Sequence, residues 1–147
     1  MAHSIQSKVM CFPMRLKPGQ EIKEELIKFV SFNHLQAAFI MTCVGSVTKA
    51  TLRMADSKSV RFYNKLKSIK SLNGPFEIVS LVGTLSQGGH LHISLSDSDG
   101  NVVGGHVIGD LIVNTTAEVM VGECCDATFT REPDSDTGYD ELVVNRK

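Results

Sequence analysis

Only one stretch of this 147-residue chain carries a helical period. Ile22, Leu26, Phe29 and Val30 recur at the spacing that lines one face of an α-helix. Glu21, Glu24 and Glu25 stand where the positive end of the helix dipole favours acids. The predicted helix runs from about Gln20 to Asn33, after the break at Lys17-Pro18-Gly19. Almost everything else reads as strand. Val9 to Leu16 alternates, with Pro13 marking an edge or a strand end. Ala37 to Val44 is a continuous apolar run, the pattern of a strand covered on both faces. Gly45-Ser46 reads as a turn, and Val47 to Ala55 as a further alternating strand. Strands are also predicted at Phe76–Leu85, His90–Ser96, Val102–Ile108, Leu111–Val113, Ala117–Glu123 and Ala127–Arg131, with a short return at Tyr139–Val144. Residues 56–75 carry no decisive pattern and end in the turn signal Asn73-Gly74-Pro75. The length is that of one domain, so a single domain over residues 1–147 is expected.

Composition narrows the function classes. At 42% hydrophobic and 21% charged, the chain is neither disordered nor a coiled coil. A formal net charge of −1 argues against a bulk-basic nucleic-acid binder and leaves room only for a local patch. The longest uncharged run, Phe29 to Thr48, holds too many polar residues for a membrane span, and no apolar core precedes Lys8 to suggest a signal peptide. The four cysteines, at 11, 43, 124 and 125, form no C-x-x-C pair. A reduced, intracellular protein, cytoplasmic or nuclear, is therefore expected. Cys11 and Cys43 lie in apolar runs and are expected to pack as small hydrophobes, and Cys124-Cys125 to be packed or exposed rather than bridged.

No nucleophile elbow, phosphate loop, dinucleotide fingerprint or H-E-x-x-H motif is present. Histidine placement is the sharpest chemical feature. His90 and His92 are two apart, so on a strand both rings leave one face. Asp97-Ser98-Asp99-Gly100-Asn101 suits a three-residue hairpin loop with glycine in the left-handed position. That register sets His92 opposite His106, with β-carbons about 5 Å apart, and His90 one diagonal away. The reverse face then collects Leu91, Ile93, Leu95, Val103, Gly105 and Val107, whereas a two-residue turn would mix the faces. Three imidazoles on one face suit zinc with an open fourth position, filled by water, an anion or a carboxylate from elsewhere in the chain; no general base stands beside them in sequence, and Glu123 and Asp110 are the candidates to approach in the fold. The plainer alternative is a wet sheet face or a subunit contact. His3 reads as tail, and His34 as a dipole partner at the helix C-terminus.

Charge is unevenly spread. Lys49, Arg53, Lys58, Arg61, Lys65, Lys67 and Lys70 make a basic segment that also contains Phe62 and Tyr63, while residues 123–141 are acidic. The basic run could contact phosphates and stack on bases. Equally, it could be a solvated face that meets the acidic segment of a neighbouring subunit.

Gly74-Pro75-Phe76-Glu77-Ile78-Val79-Ser80-Leu81-Val82-Gly83 resembles the G-x-F-E-I-x-S-L-x-G signature of the PPC (plants and prokaryotes conserved) domain family. Gly89-His90-Leu91-His92-Ile93-Ser94-Leu95, Asp99-Gly100 and Val103-Gly104-Gly105-His106 resemble its second block. Arg15-Leu16-Lys17-Pro18-Gly19 and Thr137-Gly138-Tyr139-Asp140-Glu141-Leu142 extend the resemblance to both ends. It implies an α/β domain of the α+β type, a mainly antiparallel, strongly twisted sheet with one long amphipathic helix, assembled as a homotrimer. Plant members join this domain to an AT-hook and carry a DNA-binding label. This chain has no Arg-Gly-Arg-Pro hook and has histidines at 90, 92 and 106, where plant members typically carry Met, Ser or Gly. In both respects it is similar to stand-alone prokaryotic-type members, for which a bound metal is the expectation. Three classes follow: a trimeric protein with a zinc-like ion on His90, His92 and His106, catalytic or not, with no substrate legible; a DNA-binding regulatory module; or an interaction scaffold. Weak or no DNA binding in isolation and no membrane partner are expected.

Overall fold

The structure, a computed structural model, describes residues 4–55 and 68–147. The elements run β1 (Val9–Leu16), α1 (Ile22–Phe32), β2 (Ala38–Arg53), β3 (Ile69–Thr84), β4 (His90–Ser96), β5 (Val102–Cys124), β6 (Ala127–Pro133) and β7 (Asp140–Arg146). Five strands form one antiparallel sheet in the order β1-β5-β2-β3-β4, and β4 pairs back onto β5. Strands β5, β2, β3 and β4 thus close a ring of pairings, which demands strong twist and curl. β6 and β7 make a separate two-stranded hairpin.

The helix forms where its stripe predicts. Ile22, Leu26 and Val30 are buried on the sheet, each burial stabilising by roughly 1.5–3 kcal/mol. Glu21 caps the helix by accepting from the Glu24 N–H, and its other carboxylate oxygen accepts from the Leu111 N–H of β5 at 2.8 Å. One side chain therefore both starts the helix and ties it to the longest strand.

Three expected interruptions are continuous strand. Gly45-Ser46 lies inside β2, where the ladder to β5 shifts register and a β-carbon at 45 would overlap the Thr116 carbonyl. Asn73-Gly74-Pro75 lies inside β3, and Pro75 falls within the register shift opposite Val47 and Lys49. The three segments predicted between Val102 and Glu123 are one strand, β5, with Asp110 at φ 58. In each case ladder pairing with β2 or β5 keeps the chain extended, and irregularities absorb the residues that looked like turns. Cys11 also departs from expectation and is exposed, whereas Cys43 is buried and its thiol is pushed up to about 11 by that burial. Cys124 and Cys125 are half-buried free thiols. Among the described residues no helix is long and apolar enough to cross a membrane.

Candidate metal centre

The β4–β5 hairpin takes the predicted register, with His92 opposite His106, Ser94 opposite Gly104 and Ser96 opposite Val102. Its loop is held by Asp97, whose carboxylate accepts from the N–H groups of Asp99 and Asn101 at 2.9 and 2.8 Å, with Gly100 at φ 81. Leu91, Ile93, Leu95 and Val107 are buried on the reverse face and anchor both strands in the core. The period of two then leaves His90, His92 and His106 nowhere to point but outward together.

One ring nitrogen from each histidine lies within 4.8 Å of the other two. His90 Nε2 and His92 Nε2 are 3.2 Å apart. Two nitrogens bound tetrahedrally to one ion at about 2.0–2.1 Å stand roughly 3.3–3.4 Å apart, so this pair is already at chelating distance. His106 Nδ1 is buried without a hydrogen-bond partner, an unmet polar group of the kind a bound ion relieves. Burial, reinforced by the Arg53 guanidinium and the other two rings, lowers His106 to about 4. Burial and Arg131 likewise lower His90. These two rings are neutral at physiological pH, the state in which imidazole ligates. Close strand approach sets the geometry: a β-carbon at Gly104 would lie 2.6 Å from the Ile93 carbonyl oxygen, and one at Gly105 2.7 Å from that of Arg53.

The two carboxylates expected as candidates for a general base are committed elsewhere. Glu123 is buried and accepts from the N–H groups of Gln36 and Ala37, each at 3.0 Å. Asp110 accepts from the Thr51 hydroxyl at 2.6 Å and pairs with Lys49 at 3.2 Å. Among the described residues neither joins the cluster. Of the basic segment, Lys49 is thus ion-paired, Lys70 is exposed on β3, and Arg53 faces the histidines. Lys58, Arg61, Lys65 and Lys67, with Phe62 and Tyr63, lie outside the described residues, as does His3. His34 is exposed just past the helix with φ 55. Arg131 and Glu141, which line a cleft with His90, His106 and Arg53, did not stand out as site residues in the sequence. Glu141 carries a signal only through the Thr137–Leu142 motif, which does not say where the β6–β7 hairpin docks, and Arg131 lies outside that motif.

Residues 4–125 match the family model of the Plants and Prokaryotes Conserved (PCC) domain. The chain belongs to this family. Its PCC fold superposes on a hypothetical protein from Salmonella with a TM-score of 0.88 and 40% identity, covering 99% of both chains. It also superposes on a metal-containing protein from Archaeoglobus fulgidus with a TM-score of 0.79 and 26% identity, covering 97% of this chain and 99% of that one. Among curated relatives, the bifunctional protein GlmU of a Synechococcus strain is 38% identical over 136 residues, 92% of this chain and 20% of the relative. The chain thus spans about a fifth of the length of that relative. The chain is 40% identical to that Salmonella protein and 32% identical over 105 residues to the AT-hook motif nuclear-localized protein 10 of Arabidopsis thaliana, 71% of this chain and 30% of the relative.

Proposed function

We propose that this PCC protein binds one zinc-like divalent ion per subunit through His90, His92 and His106, within a homotrimer. The observation that carries the reading is the convergence of three ring nitrogens, two of them 3.2 Å apart, on a surface whose reverse side is buried core. All three donors are imidazole, and no cysteine joins them, a donor set that suits zinc. The relative from Archaeoglobus fulgidus, described as metal-containing, supports the same reading. Three protein ligands would leave one coordination position of a bound ion open, and such an ion would permit Lewis-acid or hydroxide chemistry there. Exposed Met41 and Val44 on β2 and Val79 and Val82 on β3 support burial of sheet surface against other subunits. The DNA-binding reading has less support, because the apolar stripe of α1 is buried and Lys28 on its outer side pairs with Glu24 and Glu25. Elemental analysis after chelation and reloading tests the proposal: one ion per subunit in the native protein, and none in His92→Ala, is the expected result.

A further inference from the structure

Two arginines bracket the histidines, each placed by the sheet. Arg53 ends β2 as the register partner of His106 on β5. Arg131 reaches in from β6, and its Nη2 donates to Thr84 Oγ1 at 3.0 Å. Thr84 is in turn the register partner of His90 across β3 and β4. The Arg53 side chain thus lines the cleft beside His106, and the Arg131 guanidinium is held by Thr84 beside His90. Both line the same cleft as those two rings, a cavity of about 350 Å³ whose remaining wall includes Asp140 and Glu141. Among the described residues neither Arg53 nor Arg131 forms an ion pair with a carboxylate, although two carboxylates share the cleft. The two guanidiniums balance those two carboxylates in charge, so a divalent ion on the histidines leaves the cleft with an excess of positive charge.

We infer that this cleft is a binding site for a small oxyanion, a metabolite-sized carboxylate or phosphate held by Arg53 and Arg131 beside the metal-binding histidines. The inference rests on the proposed metal reading and adds the ligand class. A guanidinium offers paired N–H donors in the planar geometry that matches carboxylate and phosphate oxygens. Two of them on opposite sides of the cluster define a site for an anion spanning the cleft, whereas one arginine would define only a surface contact. The volume lies at the lower end for ligand pockets and suits a small molecule. Thr84 adds pre-organisation, because its hydroxyl holds the Arg131 guanidinium in place before any anion arrives.

Titration of the cobalt-loaded full chain with inorganic phosphate and, separately, with succinate tests this, read by the visible cobalt spectrum and by calorimetry. At least one anion should bind in the millimolar range or tighter and perturb the spectrum, and the arm that binds more tightly distinguishes phosphate from carboxylate. Arg53→Gln and Arg131→Gln should each weaken it by about tenfold or more while cobalt uptake stays at one ion per subunit. Anion affinity unchanged in both variants, or no binding of either anion by the loaded native protein, overturns the inference. Failure of the native protein to take up cobalt at all overturns the metal reading instead, and the uptake measurement separates the two. Should either variant fold poorly, the native protein decides: phosphate or succinate should protect Arg53 and Arg131 from phenylglyoxal in peptide mapping. Equal modification of both residues with and without anion refutes the site.

Discussion

Arg53 stands directly opposite His106 across the β2–β5 ladder. His106 is therefore paired on one side with a cation and on the other with His92, its partner on β4. Arg53 adds to the burial that chiefly keeps the His106 ring unprotonated, and this single row across three strands explains why the histidine face is also the arginine face. It requires tight strands, since paired residues face one another only where the backbones keep register.

Removal of His92 is the most direct probe of the row. His92→Ala should lower affinity for a zinc-like ion by about 100-fold or more, because the remaining two imidazoles cannot enclose it. Thermal stability of the metal-free protein should barely change, since the His92 side chain is exposed. Competition with a chromophoric chelator measures the first, and thermal melts with excess chelator the second.

Gly105→Ala should act on the same centre through the backbone. The new β-carbon would meet the Arg53 carbonyl oxygen at 2.7 Å, so β5 and β2 must separate at the level of His106. A loss of about 1–3 kcal/mol is expected in denaturant melts, with weaker metal uptake. A variant as stable as the native protein would show that the strands are not packed this tightly.

Acid should weaken the metal-free fold in a defined window. His106 falls from 6.5 to about 4 in the folded chain, and His90 is lowered as well. The unfolded chain therefore binds protons first. Stability is held above about pH 6.5 and declines as pH falls from there towards 4, where the folded ring protonates too. The cause is chiefly burial, with Arg53 second, so Arg53→Gln should raise the His106 pKa only part of the way. Urea midpoints against pH, with imidazole NMR titration of the chelated protein, check both statements.

Assembly is open to a simple measurement. Sedimentation at micromolar concentration should give three times the 16.0 kDa chain mass. Val79→Lys, replacing a side chain 57% exposed on β3, should shift the distribution towards smaller species without loss of fold. A native protein that sediments as a stable monomer refutes the trimer.

Duplex DNA should bind weakly and without sequence preference, with affinity falling steeply as salt rises. Tight, selective binding at physiological salt would restore the nucleic-acid reading.

Features that depend on neighbours along the chain were legible in the sequence. The Ile22–Val30 stripe located the helix, and the Asp97–Asn101 loop set the register of β4 on β5. That register, with the alternation of Leu91, Ile93 and Leu95 against His90 and His92, sorted the histidines onto one face, because a two-residue period leaves only two choices. Tertiary structure alone decided what those histidines meet. Whether Gly45-Ser46 turns or continues depends on partners far along the chain, and the closed ring of β5, β2, β3 and β4 keeps it extended. Arg53 reaches His106 only because β2 runs unbroken to Arg53, and Arg131 reaches the cleft only because the β6–β7 hairpin docks there. Turn chemistry and periodicity are properties of a few consecutive residues. The meeting of distant strand edges depends on how the whole apolar surface is buried, and no local pattern records it.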